Sequence, residues 1–165
     1  MTSARRSRCV GRRGGRCSLC GGTGHAYGHD GWFFPTKAGQ HWHNIRQYPG
    51  AEHLRHVITF FSQLPWWQLV PDQKHDVLLS GYGEYTKPNY VTAALTDDRA
   101  QLVAYLPQPG MVRVDLSKLK GPQVRVRWYD PRTGQYTEGG HLDSQGVQKL
   151  ESPLQDDWVL WLTSE

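Results

Sequence analysis

The sequence predicts a mainly β protein, an antiparallel β-sandwich preceded by one amphipathic helix. Three observations carry this prediction. Short apolar runs with a period of two recur from residue 77 to the C-terminus, and clusters of turn formers separate them. A single stretch, residues 51–63, instead has the period of a helix. The composition agrees: of 165 residues, 12% are aromatic, seven are Trp, 18 are Gly and 10 are Pro. Many short strands joined by tight turns need that mixture.

The helix is justified by Leu54, Val57, Ile58, Phe61 and Leu64, which recur at i, i+3, i+4, i+7 and i+10. Glu52, Arg55 and His56 lie off that stripe. Pro49-Gly50 marks the start and Pro65 the stop. Trp66-Trp67, just past the stop, reads as core, two large aromatics that staple helix to sheet.

The strands follow in order. Val77-Leu79 opens them. Tyr90 to Leu95 and Gln101 to Leu106 come next, split by Thr96-Asp97-Asp98. Val112, Val114 and Leu116 alternate with Arg113 and Asp115, and Val124, Val126 and Trp128 alternate with Arg125, Arg127 and Tyr129. Trp158, Leu160 and Leu162 close the chain. Pro107 to Gly110, Gly121-Pro122, Asp130 to Gly134 and Gly139-Gly140 read as separators. Asp130-Pro131-Arg132-Thr133-Gly134 suits a type I turn closed by a glycine at positive φ.

Charge divides the chain. Residues 1–16 hold six Arg and no acid, and read as a disordered tail. The remaining 13 Lys and Arg face 15 Asp and Glu, a net charge of about −2 for the body. A nucleic-acid binder would carry its basic footprint on a folded face, so nucleic acid is not expected as a partner. A membrane is not expected either, since no apolar run approaches the ~20 residues of a spanning helix. The Arg-rich start lacks the apolar core of a secretory signal.

Four constellations bear on chemistry. Cys17-Ser-Leu-Cys20-Gly-Gly-Thr-Gly fits half of a zinc ribbon, which needs two such motifs. With His25 it supplies three parts of a zinc knuckle, and Cys9 is the only further cysteine. Incidental cysteines are the expectation, and a zinc site of Cys9, Cys17, Cys20 and His25 is the alternative. His25-Ala-Tyr27-Gly28-His29-Asp30-Gly31-Trp32 gathers aromatic faces and hydrogen-bonding groups in one glycine-rich loop, which suits sugar recognition. His41-Trp42-His43 lacks a third ligand and reads as ordinary loop. Asp97-Asp98 and Asp156-Asp157 are adjacent carboxylates in turn-like contexts, and neither makes an acid/base couple. No phosphate-binding loop, dinucleotide fingerprint or nucleophile elbow is present, so no catalytic residue and no cofactor is assigned.

The order of motifs resembles a known family. Gly24-His25-Ala-Tyr27-Gly28, the helix, then Pro65-Trp66-Trp67-Gln-Leu69-Val70-Pro71-Asp72 look like the end of the catalytic barrel in the apiosidase-like bacterial glycoside hydrolases (DUF4038). Val91 to Leu95, Val103 to Pro107, Val114 to Ser117 and Trp128 to Gly134 are similar to the small β domain that follows, labelled "putative collagen-binding". The resemblance implies that residues 17–72 are the remnant of a (β/α)8 barrel, with 51–63 as its last helix, and that 73–165 form an accessory sandwich. It places His25, Tyr27, Gly28 and Trp32 in the substrate-binding lining. It also implies that the catalytic carboxylates lie on earlier barrel strands, outside this chain. The implied reading is a non-catalytic C-terminal fragment of a glycoside hydrolase, inactive alone, whose partners are the missing barrel portion and, in the complete enzyme, carbohydrate. Relatives of this kind are often exported. The alternatives are a carbohydrate- or collagen-binding module and a small zinc-binding protein. Burial of Trp128, Trp158 and Trp161 would favour a bracing role, and an exposed row of them a sugar platform.

Overall fold

The computed structural model describes residues 49–153 and 156–165, with side chains from Glu52 onward. Among these, one helix, α1 (Pro49–Phe61), precedes nine strands. They are β1 (Leu69–Pro71), β2 (Leu78–Ser80), β3 (Thr92–Thr96), β4 (Gln101–Leu106), β5 (Met111–Asp115), β6 (Gln123–Asp130), β7 (Gln135–Asp143), β8 (Val147–Glu151) and β9 (Trp158–Ser164). A six-stranded sheet has the order β1-β3-β4-β9-β6-β7, and a three-stranded sheet the order β2-β5-β8. Every pairing is antiparallel. The predicted mainly β, sandwich-like architecture is what the chain adopts.

Alternation explains the layers. Val112 and Val114 of β5, with Leu78 and Leu150, point inward from the small sheet. They meet Leu102, Ala104, Val124, Val126, Trp128, Trp158, Leu160 and Leu162 from the large one. This is the main core, and Leu78, Leu102, Val112, Val114, Val124, Leu160 and Leu162 are fully buried in it.

The outer face of the large sheet is also covered. Phe60 and Leu64 pack there with Ala94, Val103, Tyr129, Val159 and Trp161. The molecule is therefore three layers deep over part of its area, small sheet, large sheet, then helix. This corrects the expected helix face in part, since Leu64 and Phe61 of the stripe do pack there. Of the predicted stripe, Ile58 is 60% exposed, whereas Phe60, outside the stripe, is 2% exposed. The sheet is met by positions 60 and 64, one turn apart, with His56 one turn earlier. Periodicity selects the most apolar stripe, through Leu54, Val57 and Ile58, but the partner that decides is the aromatic pair Tyr129 and Trp161.

Two further corrections follow. Trp66 and Trp67, expected in the core, are 58% and 69% exposed. They sit on a short 3-10 turn, Trp66–Gln68, between the helix and β1, in which no residue is buried. Gly139-Gly140, expected as a separator, lies inside β7, where the pairing shifts by a bulge opposite Val126/Arg127. Strands β1, β7 and β8 had no sequence signal of their own. All three are edge strands with few buried residues, so no apolar alternation was required of them.

Candidate functional site

The residues predicted for sugar and zinc binding, His25, Tyr27, Gly28, Trp32, Cys9, Cys17 and Cys20, lie outside the described residues, as do His41 and His43. Among the described residues no group of three or more His, Cys, Asp or Glu could hold a metal, and no helix is long and apolar enough to cross a membrane. The carboxylate pairs serve structure. Asp98 accepts hydrogen bonds from Lys120 (2.8 Å), Ala100 (3.0 Å) and Thr96 (2.7 Å), and these, Lys120 foremost, hold its carboxyl at about 2. Asp157 accepts from the Tyr105 hydroxyl at 2.9 Å, and Asp156 pairs with Arg132.

What the described residues do build is a docked helix. Its seat is the outer face of the large sheet. Phe60 lies 4.8 Å from the Tyr129 ring and 5.3 Å, edge-on, from Trp161. The Tyr129 hydroxyl donates to the His56 carbonyl at 2.7 Å, and the Tyr136 hydroxyl donates to Gln63 at 3.0 Å. Burial pushes the Tyr129 phenol up to about 12, with Tyr136 and Asp130 adding to it.

The turn between β6 and β7 closes the seat. As expected, Gly134 has positive φ (73°), and its N–H donates to the Asp130 carbonyl at 2.8 Å. A Cβ at position 134 would meet Nδ1 of His56 at 2.6 Å, so the glycine also makes room for the helix. Asp130 is buried and clamps Arg132 at 2.7 and 2.8 Å. Burial opposes ionising it, but the Arg132 bonds outweigh burial and hold its carboxyl below the ordinary range.

Beyond the seat the surface stays open. Ile58 at 60%, Trp66 at 58% and Trp67 at 69% are large, apolar and exposed, and Val70 at 50% is exposed on the opposite face of β1 from Leu69, which packs on the helix side. The two indoles cross at 84° with centroids 5.9 Å apart. By contrast, Trp128, Trp158 and Trp161 are buried.

Beside the helix lies Arg127. Its guanidinium stacks 3.7 Å over the Trp161 ring and lies 5.7 Å from Tyr136. Burial lowers its pKa, and Arg125 lowers it further. Sequence reasoning missed it because a charged residue at every second strand position reads as solvent-facing. The signal that could have found it is Tyr129, which ends the same Arg-x-Arg-x-Tyr row and is fully buried.

A second aromatic cluster was also unforeseen. His75, at φ 57°, stacks on Tyr82 at 3.7 Å, and Tyr90 meets both His75 and Tyr85 edge-on. It joins the 81–91 loop to the segment that leads into β2.

The fold and this surface define a β-sandwich domain with a helix docked on its outer sheet. The family described as "Putative collagen-binding domain of a collagenase" matches residues 70–163, more than half of the chain, and the chain belongs to that family. No curated protein sequence matches it. Two solved structures share its fold. One, titled "Glycoside hydrolase", is 24% identical with a TM-score of 0.74, over 86% of this chain and 33% of that one. The other, a glycoside hydrolase family 5 protein from Bacteroides vulgatus, is 23% identical with a TM-score of 0.67, over 87% of this chain and 29% of that one. The chain thus spans about a third of the length of the structures it matches.

Proposed function

We propose that this chain is the C-terminal, non-catalytic part of a glycoside hydrolase of the apiosidase-like kind, and that its sandwich braces a catalytic barrel. One observation carries the reading. The tryptophans of the sandwich are buried, whereas Trp66 and Trp67, on the link between helix and sheet, stand in solvent as a crossed pair. Exposed apolar groups gathered at one place mark an interaction site. Rings crossed at 84° cannot both lie flat along a polysaccharide, but they interlock well with a protein surface. The matched structures support the reading, because a domain of this fold occupies about a third of glycoside hydrolase chains. In the complete enzyme, His25, Tyr27, Gly28 and Trp32 would line the sugar site, and the catalytic carboxylates would come from the barrel.

The test is to extend the coding sequence upstream of residue 1 in all frames, then compare the extended protein with its Trp66→Ser/Trp67→Ser variant. The expected result is a barrel with two candidate carboxylates, and a variant whose Tm falls by about 5 °C or more. Equal Tm values would overturn bracing. A second reading, a module that binds carbohydrate or collagen, is favoured only by the family's description.

A further inference from the structure

Three arginines of the described residues are half-buried, and two of them are clamped by carboxylates. Arg125 makes two bonds to Glu138, at 3.1 and 2.6 Å, and Arg132 makes two to Asp130. Arg127, between Arg125 and Tyr129 on the outer row of β6, has no carboxylate partner among the described residues. Its Nε is buried and makes no hydrogen bond. The acid directly across the ladder, Glu138, is spent on Arg125.

Stacking on Trp161 accounts for one flat face of the guanidinium. It uses none of the five N–H donors, which lie in the guanidinium plane. Arginine does not shed its charge at ordinary pH, and Glu138 and Glu165 act on Arg127 only at a distance, so partial burial with no acid bonded to it is a standing cost. The group that matches its planar fork is a carboxylate. Position decides who supplies it. Trp161 is shared, with Phe60 of the helix on it at 5.3 Å and Arg127 at 3.7 Å. Tyr136, also near Arg127, is bonded to Gln63 just past the helix. The open donors therefore share the outer sheet face, at Trp161, with the docked helix.

We propose that Arg127 is the receptor for a carboxylate, presented by an acidic side chain of the protein surface that covers the outer sheet beside the helix. The proposal rests on the bracing reading for the source of the acid. It adds a polar contact, made through the outer Nη groups of Arg127, to the apolar contact at Trp66 and Trp67.

The receptor chemistry is testable on this chain. The Arg127 Nε–H and Trp161 Nε1–H signals are followed by NMR while sodium acetate replaces sodium chloride at constant ionic strength. The expected result is a saturable, acetate-specific shift with its midpoint on the order of 10–100 mM. It should vanish in Arg127→Lys, which keeps the charge and loses the fork, and persist in Arg113→Gln, an exposed arginine of the other sheet. No acetate-specific shift overturns the proposal. Glucuronate is the second probe. A midpoint within about tenfold of acetate supports a side-chain carboxylate, and a tighter one overturns it in favour of a sugar acid. Failure here leaves the Trp66–Trp67 test of bracing untouched.

Discussion

The hydroxyl of Tyr129 donates a 2.7 Å hydrogen bond to the carbonyl of His56, joining the outer sheet face to a helix 73 residues earlier in the chain. The same ring packs at 4.8 Å on Phe60, one helical turn on. Tyr129 thus holds the helix by a polar and an apolar contact at once, and both are separable by mutation.

Phe60→Ala should destabilise the chain by about 3–5 kcal/mol, since it opens a cavity against Tyr129 and Trp161. Ile58→Ala, two residues away and mostly exposed, should change stability by less than about 0.5 kcal/mol. Urea unfolding of the two variants checks the contrast. Equal losses would put the helix face back on the stripe the sequence suggested.

Gly134→Ala should cost about 1–3 kcal/mol, from a left-handed φ and a collision with the His56 ring. His56→Ala removes only the second cause. In the double variant the Gly134→Ala penalty should therefore shrink by a measurable fraction, a coupling between contacting sites that a thermodynamic cycle reads. Strict additivity would show that the ring does not press on the turn.

Two groups give stability a pH dependence of opposite sign. Asp98 titrates at about 2 in the folded chain, below the ordinary carboxylate value near about 4. Its contribution is present above pH ~4 and is lost as pH falls toward ~2, so Asp98→Asn should flatten the acid limb. Tyr129 is raised to about 12 from an ordinary value near about 10. Its contribution is present below pH ~10 and is lost as pH rises toward ~12, so Tyr129→Phe should flatten the alkaline limb. Thermal unfolding from pH 2 to 12 of both variants checks the signs.

How far the sequence could be read depends on which residues had to be apolar. Strand β4, Gln101–Leu106, was legible to the residue, because it is central and both its faces are covered. The Asp130–Gly134 turn was legible because its backbone demands those residue types. Trp128, Trp158 and Trp161 are buried, so they form no exposed aromatic row on a sheet face. Edge strand β7 was not legible, since only Tyr136 and Leu142 are even partly buried and its Gly-Gly mimics a loop. Phe60 and the pair Trp66-Trp67 were misplaced for a related reason. Helical period identifies an apolar stripe but not its partner, and this surface has more than one partner to satisfy. Arg127 escaped because strand alternation assigns charges to solvent, and the outer face it sits on is only partly solvent. The loop from His25 to Trp32 lies outside the described residues, and its sugar-lining role stands as proposed.

The most direct measurement of the central claim is retention of this chain on insoluble polysaccharides and on fibrillar collagen, in parallel with Trp66→Ser/Trp67→Ser. A brace predicts that neither protein is retained above the level of an inert control. Retention of the parent chain that the double substitution abolishes would contradict the account, and would make the exposed tryptophans a ligand platform.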